Sequence, residues 1–329
     1  MGLLRLSVRA DVLPIRGSFA ISRGARTETK VVLVELADAA GHRGRGECTP
    51  YPRYGESVES VAAEIEALRR AIEDGLDRTS LQSAMAPGAA RNALDCALWD
   101  LEAKRAGRRA WDLAGIAMPE SLVTAYTLSL DTAEKMGEAA RAVADRPLLK
   151  LKLAGEGDLE RVGAVRQAAP KARLIVDANE GWQPEMVVPF SARLAELGVA
   201  MIEQPLPSNA DAPLADLDHP VPLCADESAH TRDNLADIAA RYDVINIKLD
   251  KTGGLTEALA LADAAEGMGL RLMIGCMLAS SLSMAPASLV AARAEFIDLD
   301  GPLLLASDRD PGLVYQGSRF APPSAALWG

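Results

Sequence analysis

Five short runs decide the fold: LLKLKLA (148 to 154), RLIVDAN (173 to 179), AMIEQPL (200 to 206), PLCADES (222 to 228) and VINIKLD (244 to 250). Each is too short for a helix and rich in Val, Ile and Leu, so each reads as a strand buried on both faces. Amphipathic stretches of helical length separate them, such as Gly157 to Ala169 and Gln183 to Leu197. Strand, helix, strand, helix means a parallel sheet with crossover helices. LVTAYTLSL (122 to 130) precedes these runs, and RLMIGCM (271 to 277) and EFIDLDG (295 to 301) follow, giving eight strands and seven helical stretches. Eight such strands close most economically into a modified TIM (β/α) barrel, with its site at the C-terminal strand ends.

The first 120 residues follow a different grammar, with strands first and helices after. LLRLSVRA (3 to 10), TKVVLVELA (29 to 37) and HRGRGEC (42 to 48) read as an antiparallel meander. Ser57 to Ile72 has helical spacing opened by a capping box at Ser57 and Ser60, and a second helix runs from Pro87 to Ala106, stopping near Gly107. Arg16 to Glu28 and Thr49 to Gly55 are rich in Gly, Pro, Arg and Tyr and read as ligand-facing loops. The expected organisation is an N-terminal α+β capping domain over 1–120, the barrel over 121–305, and a tail over 306–329 that returns to the capping domain.

The net charge of −11 and the pI near 4.9 argue against affinity for nucleic acid or anionic membrane. The four cysteines, Cys48, Cys96, Cys224 and Cys276, are scattered in apolar contexts without zinc-site spacing, as expected of free thiols in a reducing compartment. The N-terminus carries no secretory signal pattern and no run reaches membrane-spanning length. The expectation is a cytoplasmic soluble protein, with a homo-oligomer left open.

Charged residues are the exceptions in these apolar strands. Asp177, Glu203 and Asp226 recur at separations of 26 and 23 residues, about one βα unit each, so a barrel gathers them at one point. Three hard oxygen ligands suit Mg²⁺, and none of the three histidines adjoins them in sequence, although His230 lies just beyond the fifth of the eight strands and is a candidate to approach the site. The alternative is a salt-bridge cluster with the neighbouring lysines, a poor source of stability. Lys150 and Lys152 project to one face of their strand, and Lys248 comes from the opposite side of the barrel mouth. Crowded ammonium groups beside a divalent cation are expected to lower a lysine pKa toward the range useful for a base. A base on each side of a carbon can remove a proton from one face and return it to the other.

Lys150-Leu-Lys152, VDANEGW (176 to 182), IEQPL (202 to 206), ADES (225 to 228) and INIKLDKTGGL (245 to 255) together resemble the enolase superfamily, muconate-lactonising subgroup, and within it the dipeptide epimerases. GECTPYPRYGES (46 to 57) and AARNALDCALWDLEA (89 to 103) extend the likeness over the cap. The resemblance implies Mg²⁺ on Asp177, Glu203 and Asp226, an acid/base pair in Lys152 and Lys248, and Lys150 at the substrate carboxylate. It implies that Asp298 and Asp300, pointing away from the metal ligands, hold the free α-amino group of a small dipeptide. It further implies that Arg26, with Arg23 as the alternative, meets a side-chain carboxylate. The implied reaction is 1,1-proton transfer on L-Ala-D/L-Glu in murein peptide recycling. Cycloisomerisation and o-succinylbenzoate synthesis share the metal and lysines but have no use for the acidic pair. Where many subgroup members have a Glu after strand seven, this chain has Met277-Leu278-Ala279-Ser280.

Overall fold

The computed structural model describes residues 4–329; Met1 to Leu3, with the first residue of the expected opening strand, lie outside the described residues. Strands β1 (Arg5–Ile21), β2 (Gly24–Ala37) and β3 (Arg43–Cys48) form an antiparallel meander in that order. The segment expected as a loop over 16–28 is instead a hairpin extension: after a register shift between Pro14 and Phe19, Phe19 pairs with Arg26 and Ile21 with Gly24. Arginine and glycine suit an exposed hairpin tip as well as a loop. A ribbon whose strands pair only with each other needs no apolar face, and its outer half is largely exposed.

Val58–Ala67 begins at the expected capping box, with Ser57 and Ser60 bonded reciprocally. A break at Leu68 separates it from Arg69–Glu73, so the single helix expected to Ile72 is two. Short helices at Arg78–Ala84 and Ala110–Ala114 were not anticipated. The helix Ala89–Ala106 ends at Gly107, whose φ of 60° is the left-handed C-terminal cap that glycine adopts at least cost. β3 lies backbone to backbone on this helix. A Cβ on Gly44 or Gly46 would come within 2.1 Å of Ala97 O or 2.0 Å of Ala93 O, so neither position admits a side chain without moving the helix.

The chain then makes a two-residue strand β4 (Leu122–Val123) and the eight parallel strands: β5 (Tyr126–Leu128), β6 (Leu148–Lys152), β7 (Arg173–Asp177), β8 (Val199–Glu203), β9 (Leu223–Ala225), β10 (Val244–Ile247), β11 (Arg271–Gly275) and β12 (Phe296–Asp298). The expected first strand, 122–130, is thus split, because β4 leaves the barrel to pair with β14 (Arg319–Phe320), itself joined to β13 (Tyr315–Gln316). The two ends of the eight-stranded sheet meet through Ala125 N–H to Ile297 O at 2.7 Å and Leu299 N–H to Thr124 Oγ1 at 2.8 Å. One crossover departs from the expected helices. Between β8 and β9 there is only the 3₁₀ turn Ala212–Asp216, in a segment carrying Pro207, Pro213 and Pro220, each of which removes a helical donor. Among the described residues no helix is long and apolar enough to cross a membrane.

Cap and barrel are joined by buried polar contacts. Arg91 donates to Thr252 O at 2.7 Å and Gly253 O at 3.0 Å, and Asp95 accepts from Thr256 N–H at 2.9 Å. The C-terminal residues reach the same helix: Trp328 Nε1 donates to Cys96 O at 3.0 Å and Gly329 N–H to Asp100 at 2.6 Å. Glu47 accepts from Ser280 N–H at 2.9 Å and from Arg309 Nε at 2.6 Å. Helix Ser281–Ala291, apolar or small all round, is buried on every face between the two parts.

Asp250 accepts from Thr49 N–H at 3.0 Å and Asn92 Nδ2 at 2.9 Å in this seam. Burial, against those hydrogen bonds, lifts its pKa from 3.8 to about 7. The folded chain therefore binds this proton more tightly than the unfolded one, and the associated stability is lost as pH rises from 3.8 through about 7. Asp250→Asn should raise Tm by on the order of 2–4 °C at pH 8 and leave it nearly unchanged at pH 4. Scanning calorimetry at both values is the check; the same shift at both would show that ionisation of Asp250 is not the cause.

Candidate active site

The carboxyl ends of six strands deliver charge to one buried cluster. Lys150 on β6 sits 2.6 Å from Glu203, 2.8 Å from Asp298 and 3.3 Å from Asp177. Lys152, two residues on, bonds Asp177 at 2.5 Å, and Lys248 at the exit of β10 bonds Asp226 at 2.7 Å. These strands hold their register because every other position is apolar; Ile175, Met201, Cys224, Val244, Met273 and Phe296 fill the barrel beneath. Contrary to expectation, Asp298 does not point away from the carboxylate cluster. Closure of the sheet brings β12 beside β5, next to β6, so Lys150 bridges Asp298 to Glu203 and Asp177. Asp300 instead accepts from Thr127 N–H at 2.6 Å.

Burial works against the charge on Lys150, but Asp298, Glu203 and Asp177 hold its pKa well above the ordinary lysine value. Burial and Asp226 act in the same opposed way on Lys248, which is also held high. Both are held high because carboxylates rather than another ammonium are their nearest neighbours; the expected lowering concerned lysines crowded beside a divalent cation. Burial would raise Asp177, yet Lys152 and Lys150 keep it at about 2. Glu203 goes the other way, to about 7, through burial and the nearby Asp177 and Asp226. Asp300 is likewise lifted to about 7 by burial and by Asp298.

Glu203 carries the test of a cation here. Its Oε1 accepts from Asn246 Nδ2 at 2.7 Å, while Oε2 is buried without a hydrogen bond, Lys150 lying close but outside bonding geometry. A buried carboxylate raised by two neighbouring carboxylates, with one oxygen met only by the Lys150 ammonium, fits a hard divalent cation. Among the described residues no three Asp, Glu, His or Cys side chains are gathered closely enough to hold an ion without rearrangement, because the lysines occupy the carboxylate oxygens.

The layer behind these residues escaped the sequence reading. Lys251, fully buried, donates to Asp226 Oδ1 at 2.6 Å and to Asn246 O at 3.1 Å, so each oxygen of Asp226 has its own lysine. Gln204 Oε1 accepts from the backbone of Asp226 at 2.8 Å and of Ser228 at 3.1 Å. Asn179, Glu180 and Gln204 have φ of 45°, 65° and 37°, left-handed values that favour glycine or asparagine and mark local strain at the strand exits. The signal available in sequence was a fourth lysine three residues after Lys248 and a Gln immediately after Glu203.

The cap forms the roof. At the hairpin tip Arg23 donates to Asn179 O at 3.1 Å, Tyr51 at 3.2 Å and Glu227 at 2.8 Å. Arg26 lines the same cavity as Lys152 and Lys248 and takes no part in the ion pairs of Arg23 and Arg53. His230 does not enter that cavity. It packs edge-on against Tyr54 with ring centroids 4.6 Å apart, and burial, then Lys251, lowers its pKa to about 4, so the imidazole is neutral near pH 7. Met277 and Leu278 line the cavity where the wider subgroup carries a Glu.

Carboxylates interleaved with lysines at the carboxyl ends of a parallel barrel, beneath an antiparallel cap, define an acid–base barrel enzyme. Residues 4–115 match the mandelate racemase / muconate lactonizing enzyme N-terminal domain, and residues 135–325 match the enolase C-terminal domain-like family. The chain belongs to the mandelate racemase/muconate lactonizing enzyme family of the enolase superfamily. It is 50% identical over 312 residues to the L-Ala-D/L-Glu epimerase of Escherichia coli K12, covering 94% of this chain and 97% of that one. It is 44% identical over 301 residues to the N-acetyl-D-glutamate racemase of a Pseudoalteromonas species, covering 91% and 95%. An enolase family member from Agrobacterium tumefaciens, solved with sodium, L-Ala-L-Glu and an ordered loop, superposes with a TM-score of 0.97 at 53% identity, over 99% of this chain and 100% of that one. The Cytophaga hutchinsonii dipeptide epimerase, solved with Mg and D-Ala-L-Val, superposes with a TM-score of 0.91 at 27% identity, over 98% and 94%.

Proposed function

We propose that this protein is a Mg²⁺-dependent dipeptide epimerase acting at the α-carbon of the C-terminal residue of L-Ala-D/L-Glu. The observation that carries this reading is the acidic pair Asp298 and Asp300, each at most 5% exposed, lining one cavity with Lys152 and Lys248. An ammonium group is what two buried carboxylates at a barrel mouth attract, and neither muconate nor a succinylbenzoate precursor has one. Relatives named as L-Ala-D/L-Glu epimerases support the same choice.

Asp177, Glu203 and Asp226 would hold the Mg²⁺, whose charge stabilises the electron density that the substrate carboxylate gains when the α-proton leaves. Lys150 places a permanent ammonium beside the same carboxylate. Lys152 and Lys248 reach the α-carbon from opposite sides: one, neutral, takes the proton, and the other, protonated, returns one to the opposite face. To do so Lys152 would leave Asp177 and Lys248 would leave Asp226, the carboxylates that would hold the cation. Lys251 keeps Asp226 oriented throughout. Asp298 and Asp300 take the α-ammonium, and Arg26 takes the side-chain carboxylate. The four free cysteines and the net charge of −11 suit a cytoplasmic enzyme of murein peptide recycling that binds neither nucleic acid nor membrane.

The test is proton exchange followed by NMR in D₂O. With Mg²⁺, L-Ala-L-Glu should acquire deuterium at the Glu α-carbon while L-Ala-D-Glu accumulates, and EDTA should stop both. Absence of exchange with Mg²⁺ present would overturn the Ala-Glu assignment.

A further inference from the structure

Thr49 follows β3 and lines the cavity that holds Lys152, Lys248 and Arg26. The residue is 3% exposed, and its hydroxyl oxygen is buried without a hydrogen-bond partner. Leaving a buried hydroxyl unpaired is costly, so one that persists in a cavity wall is suited to a partner the ligand brings. Its place is not accidental. The Thr49 backbone N–H is tied to Asp250 at 3.0 Å, and the preceding Cys48 pairs with Val32 of β2, which fixes Thr49 rigidly.

Arg23, the other guanidinium lining this cavity, is already paired. Arg23 is bound to Glu180, Glu227, Tyr51 and Asn179, and Tyr51 is engaged by Arg23. Arg26 and Thr49 line this cavity together and also share the adjoining cleft that carries Glu28 and Pro50. A guanidinium without a carboxylate partner and a hydroxyl without an acceptor, lining one cavity, are two donors that one anionic group could meet. We propose that Thr49 is a specificity-determining residue, its hydroxyl donating to the side-chain carboxylate of the substrate's second residue alongside Arg26. This rests on the dipeptide-epimerase reading and deepens it. The hydroxyl selects a short acidic side chain because it sits on a fixed backbone, whereas Arg26 is at the end of a long side chain and can follow ligands of other lengths.

Thr49→Val keeps shape and the backbone bond to Asp250 and deletes only the hydroxyl. Steady-state kinetics should show KM for L-Ala-L-Glu raised by about 10–100-fold, the range of one hydrogen bond to a charged group, with kcat within about threefold. KM for the uncharged near-isostere L-Ala-L-Met should be unchanged, Thr49→Ser should restore L-Ala-L-Glu, and the wild-type Tm should be retained. Thr29→Val is the control, since that hydroxyl is also buried and unpaired but lines the cleft without reaching the cavity. Equal loss on both substrates, or none on either, overturns the inference while leaving the epimerase reading intact. A wild-type protein inactive on both dipeptides overturns the epimerase reading, and the inference with it.

Discussion

Replacing Lys248 with alanine should lower epimerisation of L-Ala-L-Glu by on the order of 10³-fold, the usual weight of one positioned acid–base group. The residue is 7% exposed and faces the cavity, and its ammonium sits on Asp226 Oδ2, so nothing else in the structure duplicates it. Asp226 does not lose its orientation with it, because Lys251 still holds Oδ1 and Gln204 the backbone N–H. Tm should accordingly be nearly unchanged, which separates a chemical loss from a folding one. The deficit should also be one-sided. With Lys152 intact, solvent deuterium should still enter one epimer without inversion, while Lys152→Ala should show the complementary behaviour with the other. Near-wild-type epimerisation by either variant would remove that lysine from the mechanism.

Neutralising the acidic pair is expected to change which substrate is accepted. Asp298→Asn should cut kcat/KM for L-Ala-L-Glu by about 10²-fold or more, as when one partner of a buried charge pair is removed. N-acetyl-L-glutamate has no ammonium for Asp298 to meet, and any turnover of it should be spared. The site itself should survive, since Lys150 retains Glu203 at 2.6 Å and Asp177 at 3.3 Å. Competition kinetics with both substrates reads the effect as a ratio. Equal losses on both would reassign Asp298 to supporting Lys150, the contact it makes in this structure.

The chain's barrel could be read from sequence because its strands are short, apolar on both faces and spaced by helical periods; a charge there stands out against that background. Asp177, Glu203, Asp226, Lys150 and Lys248 stood out for that reason, and the structure brings them into one cluster. The hairpin over 16–28 was misread because its pairing is local and solvent-facing, without an alternating apolar pattern. The missing helix before β9 and the split of the first strand have the same kind of cause, since proline-rich or short segments take their structure from what they pack against.

Lys251, Gln204 and Thr49 belong to another category. Each lies inside a motif quoted from the sequence, but its role exists only through partners 22 to 201 residues away, which spacing along the chain does not reveal. Helix Ala89–Ala106 shows the same limit: its apolar face was legible, but that Arg91, Asn92, Asp95 and Asp100 bind the barrel and the C-terminus depended on which surfaces meet. The sequence by itself determined the order of strands and helices and the level at which charge enters the barrel, because periodicity and strand ends are local properties of the chain. Only the tertiary structure decided which carboxylate each lysine holds, that Asp298 shares Lys150 with Glu203, and that Arg26 and the unpaired Thr49 hydroxyl line one cavity. Those pairings depend on how the barrel closes and how the cap seats on it, and distances across a closed sheet are set by packing rather than by spacing along the chain.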